Sequence, residues 1–192
     1  MYGLEAQQSC GDWARRPQSI DDSREKLNHY FTRTIEHIHR VQQNALYLIT
    51  RHAERLFLSA GDCRRLAWNV MRHDYSKFSE EQFWPYVDFT WAKKVGSGVD
   101  MQAFGRACNA HYMAETHHPE RNNAAMMTRL DIIEMVCDLQ AMAQEFNEGS
   151  CRKYFEEIWM HRNRQNFSDE ASWSSTTEIM RQVIDCFELT IE

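Results

Sequence analysis

At 192 residues and a net charge of −6, from 22 basic and 28 acidic side chains, the chain is long enough for one well-buried domain, and no basic stripe offers a duplex-binding surface. Three prolines, seven glycines and apolar residues recurring at helical spacing argue against a sheet and predict an all-α, single-domain helical bundle of about six to seven helices. Six cysteines at positions 10, 63, 108, 137, 151 and 186 form no CxxC, which argues against a zinc knuckle or disulfide framework and for free thiols in a cytoplasmic setting.

Residues 1–20 read as a loosely ordered polar lead-in without an apolar stretch of signal-peptide length. Residues 21–192 read as one helical domain, with its core over 30–145 and C-terminal helices over 151–192. Charged residues interrupt every apolar run well short of about 18 residues, so no membrane span is expected. The first long helix is expected after Ser19, with Asp21, Asp22 and Ser23 as competing caps, and to run to about Leu58. Its apolar stripe is Leu27, Phe31, Ile38, Val41, Ala45, Leu48, Ile49 and Leu56. At about 100° per residue, His37 lies roughly 80° from the centre of that stripe and His39 roughly 120° away on the other flank, so His37 is the one that looks inward. His52 falls within the stripe and reads as a core or edge histidine with one hydrogen bond.

Gly61-Asp62 is expected to break the chain and cap a second helix, whose buried face carries Leu66, Ala67, Val70 and Met71. His73 and Asp74 follow Val70 on the same face, so an imidazole and a carboxylate point inward together. A buried carboxylate requires a counter-charge, and a metal ion supplies one; a hydrogen-bonded His-Asp pair closing a helix end is the plainer alternative. Ser79 with Glu80, Glu81 and Gln82 marks a new helix start. The aromatics that follow, Phe83, Trp84, Tyr86, Phe89 and Trp91, read as core rather than as a base-stacking platform. Gly96-Ser97-Gly98 reads as a loop.

A fourth helix, from about Asp100 to Thr116, delivers His111 and Glu115, and Pro119 ends it close to His117 and His118, with Glu120 just beyond. A fifth, from Met126 to about Asn147, is expected to be amphipathic, with Ile132, Met135, Val136, Leu139, Met142, Ala143 and Phe146 on one face. Asp131 and Asp138 lie near the edge of that face, and either reaches an interior site. A helix from about Cys151 to Arg164, a polar loop from Asn166 to Ser174 and a final helix opening at the box Ser175-Thr176-Thr177-Glu178 read as scaffold or as a dimer surface.

Inward and edge positions thus gather His37, His73, Asp74, His111, His117, His118 and one of the two aspartates. Imidazole and carboxylate ligands from several helices are how bundles build mono- and dinuclear sites. The absence of thiolates points to one or two divalent transition-metal ions, Mn, Fe, Co, Ni or Zn, in a catalytic site. With this set the chain resembles the HD-domain superfamily of metal-dependent phosphohydrolases, named for the doublet present here as His73-Asp74. The segment Glu36-His37-Ile38-His39-Arg40-Val41 matches the family's Glu-His-x-x-x-Val pattern. Cys137-Asp138-Leu139-Gln140-Ala141 fits its last ligand better than Asp131 does. His111 and His117-His118-Pro119-Glu120 look like the insertion of the dinuclear branches, with a proline before the glutamate. The resemblance covers about residues 30 to 145, and the Gly-Tyr-Pro signature of the cyclic-dinucleotide branch is missing.

The resemblance implies that His37, His73, Asp74 and Asp138 share one metal and that His111 with His117 or His118 holds a second. It sets Lys77 beside a substrate phosphate, with Arg72 or Arg129 at the rim. The activity implied is hydrolysis of a nucleotide or similar small phosphoester by a metal-activated water, with Asp74, Lys77, Glu115 and Glu120 as catalytic candidates and Glu134 as a further carboxylate to hold the histidines. Relatives that oxidise a substrate with dioxygen at a di-iron site make an oxygenase the alternative enzyme, and a non-catalytic helical binding module is the third reading.

Overall fold

No glycine or proline interrupts residues 20–51, and the chain there forms one helix, α1 (Ile20–Arg51), of 32 residues. The structure is a computed structural model that describes residues 20–121 and 124–189; of the expected lead-in over residues 1–20, residues 1–19, Cys10 among them, lie outside the described residues, and Ile20 opens α1. Tyr30, Thr34, His37, Ile38, Val41, Ala45 and Leu48 form the buried stripe of α1. Phe31, expected there, is 41% exposed, because Tyr30 takes the inner place: its ring packs edge-on to Phe83 and its hydroxyl donates to the Lys77 carbonyl at 2.9 Å. Asp21, Asp22 and Ser23 lie inside the first turn of α1 and so do not precede it as caps.

Helix α1 stops at Arg51 and does not reach Leu58. The chain reverses through Phe57, at φ 50°, and the Leu58 amide bonds the Ala53 carbonyl at 2.8 Å. Leu56 therefore enters the core from a turn. His52 is nearly buried with Nε2 3.2 Å from the Tyr47 hydroxyl, as its place in the stripe predicts. Helix α2 (Ala60–Met71) begins at Ser59, ahead of the expected Gly61-Asp62 break: the Ser59 hydroxyl accepts from the Asp62 amide while the Asp62 carboxylate accepts from the Ser59 amide. Only Leu66 and Val70 of its expected face are buried; Ala67 and Met71 face outward.

Helix α3 (Glu80–Val95) follows the Ser79 cap as predicted and closes at Gly96, whose φ of 69° suits a residue without a Cβ. Asp100 caps α4 (Met101–Ala114) by accepting from the Gln102 and Ala103 amides. Thr128 and Asp131 form the capping box of α5 (Arg129–Glu145). Helix α6, residues 152–163, contains a π-helical segment, Phe155–Trp159. Helix α7 (Glu170–Glu188) starts at the Asp169 cap, nearly two turns earlier than the expected Ser175 box, because Phe167 and Trp173 are both needed inside. The expected polar loop shrinks to a short corner there.

Helix α5 is the axis of the bundle. Residues 130–137 are buried on every side, so this helix is not the amphipathic one expected. Helices α1, α2 and α7 pack on it, while α3 lies against α1 and pairs with α4. Asn44 ties α1 to α5 through the Cys137 carbonyl at 3.1 Å and through Gln144, and Arg33 meets Glu145 at 2.6 Å. The described residues contain no helix long and apolar enough to cross a membrane, and the five described cysteines are free. Thr128→Ala is expected to lower the free energy of unfolding by about 1 kcal/mol by unpairing the Asp131 amide, an effect that urea denaturation reads directly.

Candidate metal centre

Four segments deliver seven ligand-type side chains to one interior region. His37 comes from the middle of α1, and Asp138 from α5. His73 and Asp74 come from the turn after α2, not from the helix itself, which ends at Met71. Asp74 adopts the left-handed region, φ 62°, which an aspartate tolerates better than a β-branched residue, and the turn continues into a 3₁₀ segment, Tyr75–Phe78. His111 lies near the end of α4, and the turn that follows folds His117 and His118 back over it, with ring centroids 4.7 Å apart for His111 and His118.

The carboxylate of Asp74 faces two ways. Its Oδ2 lies 3.5 Å from His37 Nε2 and 3.7 Å from His73 Nε2, whereas Oδ1 lies 3.2 Å from His111 Nε2. Asp138 Oδ1 lies 3.0 Å from His37 Nε2 and 4.0 Å from His73 Nε2, and the Nε2 atoms of His111 and His118 are 2.9 Å apart. Three overlapping groups have donor atoms within 4.8 Å of one another: His37, His73 and Asp74; His73, His117 and Asp138; Asp74, His111, His117 and His118. Two ligands of one ion at about 2.0–2.2 Å stand up to roughly 4.4 Å apart, so side-chain shifts of a few tenths of an ångström let each group close on a metal ion. Within the implied set, the Nε2 atoms of His37 and His73 each lie within 4.0 Å of both Asp74 Oδ2 and Asp138 Oδ1, and Asp138 also groups with His73 and His117.

Unpartnered atoms favour the same conclusion. His73 Nε2 and His117 Nε2 are buried without a hydrogen-bond partner. In a purely structural cluster each would cost about 1–3 kcal/mol, a cost that lone pairs directed at a cation remove. The other ring faces are held in place: His73 Nδ1 lies 3.1 Å from Glu134 Oε1, His117 Nδ1 lies 3.4 Å from the same oxygen, and His111 Nδ1 lies 2.8 Å from Ser76 Oγ. Such partners fix the tautomer and aim Nε2.

Apart from that of His73, the charge states suit ligation. Burial opposes ionisation of Asp74, yet Lys77, His73 and His111 hold its carboxyl well below the usual range. Asp138 is likewise held low against burial by its hydrogen bond from His37 and the charge on His73. Burial and neighbouring imidazoles keep His117 neutral and bring His118 down to about 3. Burial also opposes the His73 imidazolium, but Asp74, Glu134 and Asp138 overcome it and raise its pKa to about 9.

Lys77 Nζ donates a hydrogen bond to Asp74 Oδ2 and lies 5.5 Å from the Tyr86 ring centre, so it sits at the centre and not on Glu80 or Glu81. Glu115 accepts from the Ser76 amide at 3.3 Å and braces the Asp74 turn. Asp131 is occupied by its capping box and by the Thr116 hydroxyl at 2.6 Å. Arg129 is taken up by the Leu56 carbonyl, and exposed Arg72 does not line the cleft beside the metal groups, so neither forms the expected rim.

That cleft, of about 330 Å³, opens on His118 and Asp138. Glu120 lines it, with Oε2 3.9 Å from His118 Nδ1. Its far wall is α6, with Tyr154, Trp159, Arg162 and Asn163, the segment read from sequence as scaffold. No residue pattern marked that wall, because its side chains are those of any amphipathic helix.

The profile of a family of unknown function, DUF5662, matches residues 26–185. The chain belongs to the DUF5662 family. The match extends past the region of the HD-domain resemblance and takes in α6 and most of α7. Neither the curated proteins nor the solved structures provide a match.

Elemental analysis of this DUF5662 protein is expected to find up to two divalent transition-metal ions per chain. Asp74→Asn, which keeps a residue suited to the left-handed turn, is expected to lose both, whereas Asp131→Asn retains them. The proton on His73 must leave when a metal takes Nε2, so uptake at pH 7 releases about one proton and strengthens as pH rises towards 9. The dependence of calorimetric binding heat on buffer ionisation measures that release.

Proposed function

We propose that this chain is a metal-dependent phosphohydrolase of the HD-domain type, acting on a nucleotide or similar small phosphoester. The observation that carries the reading is the two-faced Asp74 carboxylate, with Oδ2 towards His37 and His73 and Oδ1 towards His111. When bound, ions at these groups supply a water acidic enough to ionise near neutral pH and positive charge against the phosphoryl oxygens.

The chain's own residues do the rest. Asp74 links the two halves and sets their separation. Asp138, kept ionised by His37 and bordering the cleft, would hold an ion with His73 and His117 and orient the attacking water by accepting its hydrogen bond, the proton of that water passing to bulk solvent. Lys77 Nζ, adjacent to Asp74, neutralises a phosphate oxygen, and Glu134 holds the His73 and His117 rings still throughout. Glu120, on the cleft with an unpartnered Oε2, is the group best suited to hand a proton to the leaving oxygen.

Metal-loaded protein is expected to hydrolyse members of a panel of nucleoside mono-, di- and triphosphates and simple phosphomonoesters with Mn²⁺ or Zn²⁺ in the absence of oxygen. Turnover that requires iron and dioxygen would assign the oxygenase chemistry. Absence of bound metal, with no change in melting temperature when metal is added, would leave a non-catalytic module. Lys77→Ala is expected to depress hydrolysis about ten-fold or more and, since Lys77 is a counter-charge of the buried Asp74, to lower the melting temperature as well, and unchanged kinetics on every phosphoester would remove Lys77 from the site.

A further inference from the structure

The metal centre occupies only one end of the cleft, and the sequence outside the ligand set supplies the remainder. Met135, Leu139, Met142 and Phe146 of α5 give it an apolar side, Tyr112 of α4 and Tyr154 and Trp159 of α6 an aromatic one. Trp159 is fixed by stacking on Trp173, with ring centroids 5.7 Å apart and planes 4° from parallel, so this wall is rigid. The π-helical segment Phe155–Trp159 inserts an extra residue into its turn, which sets the direction of the side chains after it, Arg162 among them.

Arg162 is the one cation among the described residues lining the cleft, against the carboxylates of Glu120, Asp138 and Glu148. It forms no ion pair with Asp74 or Asp138, whereas Lys77 binds Asp74 directly; its head is exposed, in reach of the Tyr112 and Tyr154 phenols and of the Glu120 carboxylate. Lys77 therefore serves the centre, and the guanidinium serves the other wall. A cleft of about 330 Å³ is near the lower limit for small-molecule sites, which excludes a dinucleotide or a polymer end as its full occupant.

We propose that the cleft takes a small phosphoester whose aromatic or short apolar body carries a second acidic group, and that Arg162 is the residue that recognises that acid. This rests on the phosphohydrolase reading for the scissile end alone. Guanidinium binds a carboxylate or phosphate through two parallel N–H donors, which gives both charge and orientation, and the acidic lining repels the same group wherever Arg162 is absent.

The test uses the metal-loaded full chain and two non-hydrolysable probes, phenylphosphonate and 4-carboxyphenylphosphonate, measured by calorimetry. The wild type is expected to bind the diacid at least ten-fold more tightly. Arg162→Ala should bring the ratio to within two-fold, Arg162→Lys should keep part of it, and Tyr112→Phe, which leaves the guanidinium, should keep most of it. A wild-type ratio within two-fold, or a ratio unchanged in Arg162→Ala, overturns the proposal and leaves Arg162 as a brace between α4 and α6, visible as a lower melting temperature in both Arg162→Ala and Tyr112→Phe. The matching phosphate esters separate this from the parent reading. Loss of the diacid preference in Arg162→Ala with neither ester hydrolysed sinks the hydrolase and keeps the cleft assignment; hydrolysis without any preference does the reverse.

Discussion

The rest of the structure depends on a buried negative charge at Asp74. Its side chain is almost wholly excluded from solvent, and Glu134 and Asp138 bring two more carboxylates to the same interior. Several kcal/mol of desolvation per ion would make such a cluster untenable without cations or donors around it. His37, His73, His111 and Lys77 supply them from three different segments. The left-handed backbone at Asp74 adds a cost of about 1–2 kcal/mol, and it persists because the turn is held from all sides. Tyr30 binds the Lys77 carbonyl, Glu115 the Ser76 amide, and Ser76 Oγ the ring of His111. The long α1 and the central α5 keep these partners in register.

Much of this centre was legible in the sequence because ligand residues differ in chemistry from a solvated helix face and fall at readable angles. The helical period separated His37 from His39, and the structure buries the first and exposes the second. Residue pattern alone did not choose between Asp131 and Asp138. The motif around Asp138 made that choice, and the reason for it is visible in space: Asp131 is committed to the N-terminus of α5, whereas Asp138 lies two turns further on beside His37. The expectation that His73 and Asp74 belong to a helix face gave the right inward direction for the wrong backbone. The residues just past a helix end still point roughly where the last turn did, and only the φ of Asp74 distinguishes the two.

Helix ends were less legible, since several capping residues compete within a turn and packing selects among them. Ser59 prevailed over Gly61-Asp62 by closing a reciprocal box, and Asp169 prevailed over Ser175 because Trp173 and Phe167 had to be buried. The cleft wall was invisible for a different reason. A period of 3.6 residues assigns faces correctly only while the helix remains an α-helix, and the π segment at Phe155–Trp159 shifts every later residue by about one position. Arg162 and Asn163 consequently face the cleft from a helix whose pattern suggested only scaffold.

Three of the acidic residues of helix α5, Asp131, Glu134 and Asp138, follow one another at spacings of three and four, so they form one row along a single face. Each is used differently according to its depth along that row. Asp131, in the first turn, satisfies free amide and hydroxyl donors and secures the helix start. Glu134, one turn on and more deeply buried, touches no solvent-facing group and instead holds the rings of His73 and His117. Asp138, a turn further, is the most exposed of the three side chains in this interior and lies where the row meets the cleft. The same residue type thus changes from cap to orienting group to candidate ligand within two turns. The helix that carries the row is buried all round from 130 to 137, so the row cannot rotate, and the positions of the two inner carboxylates relative to α1 are fixed by the same packing that stabilises the core.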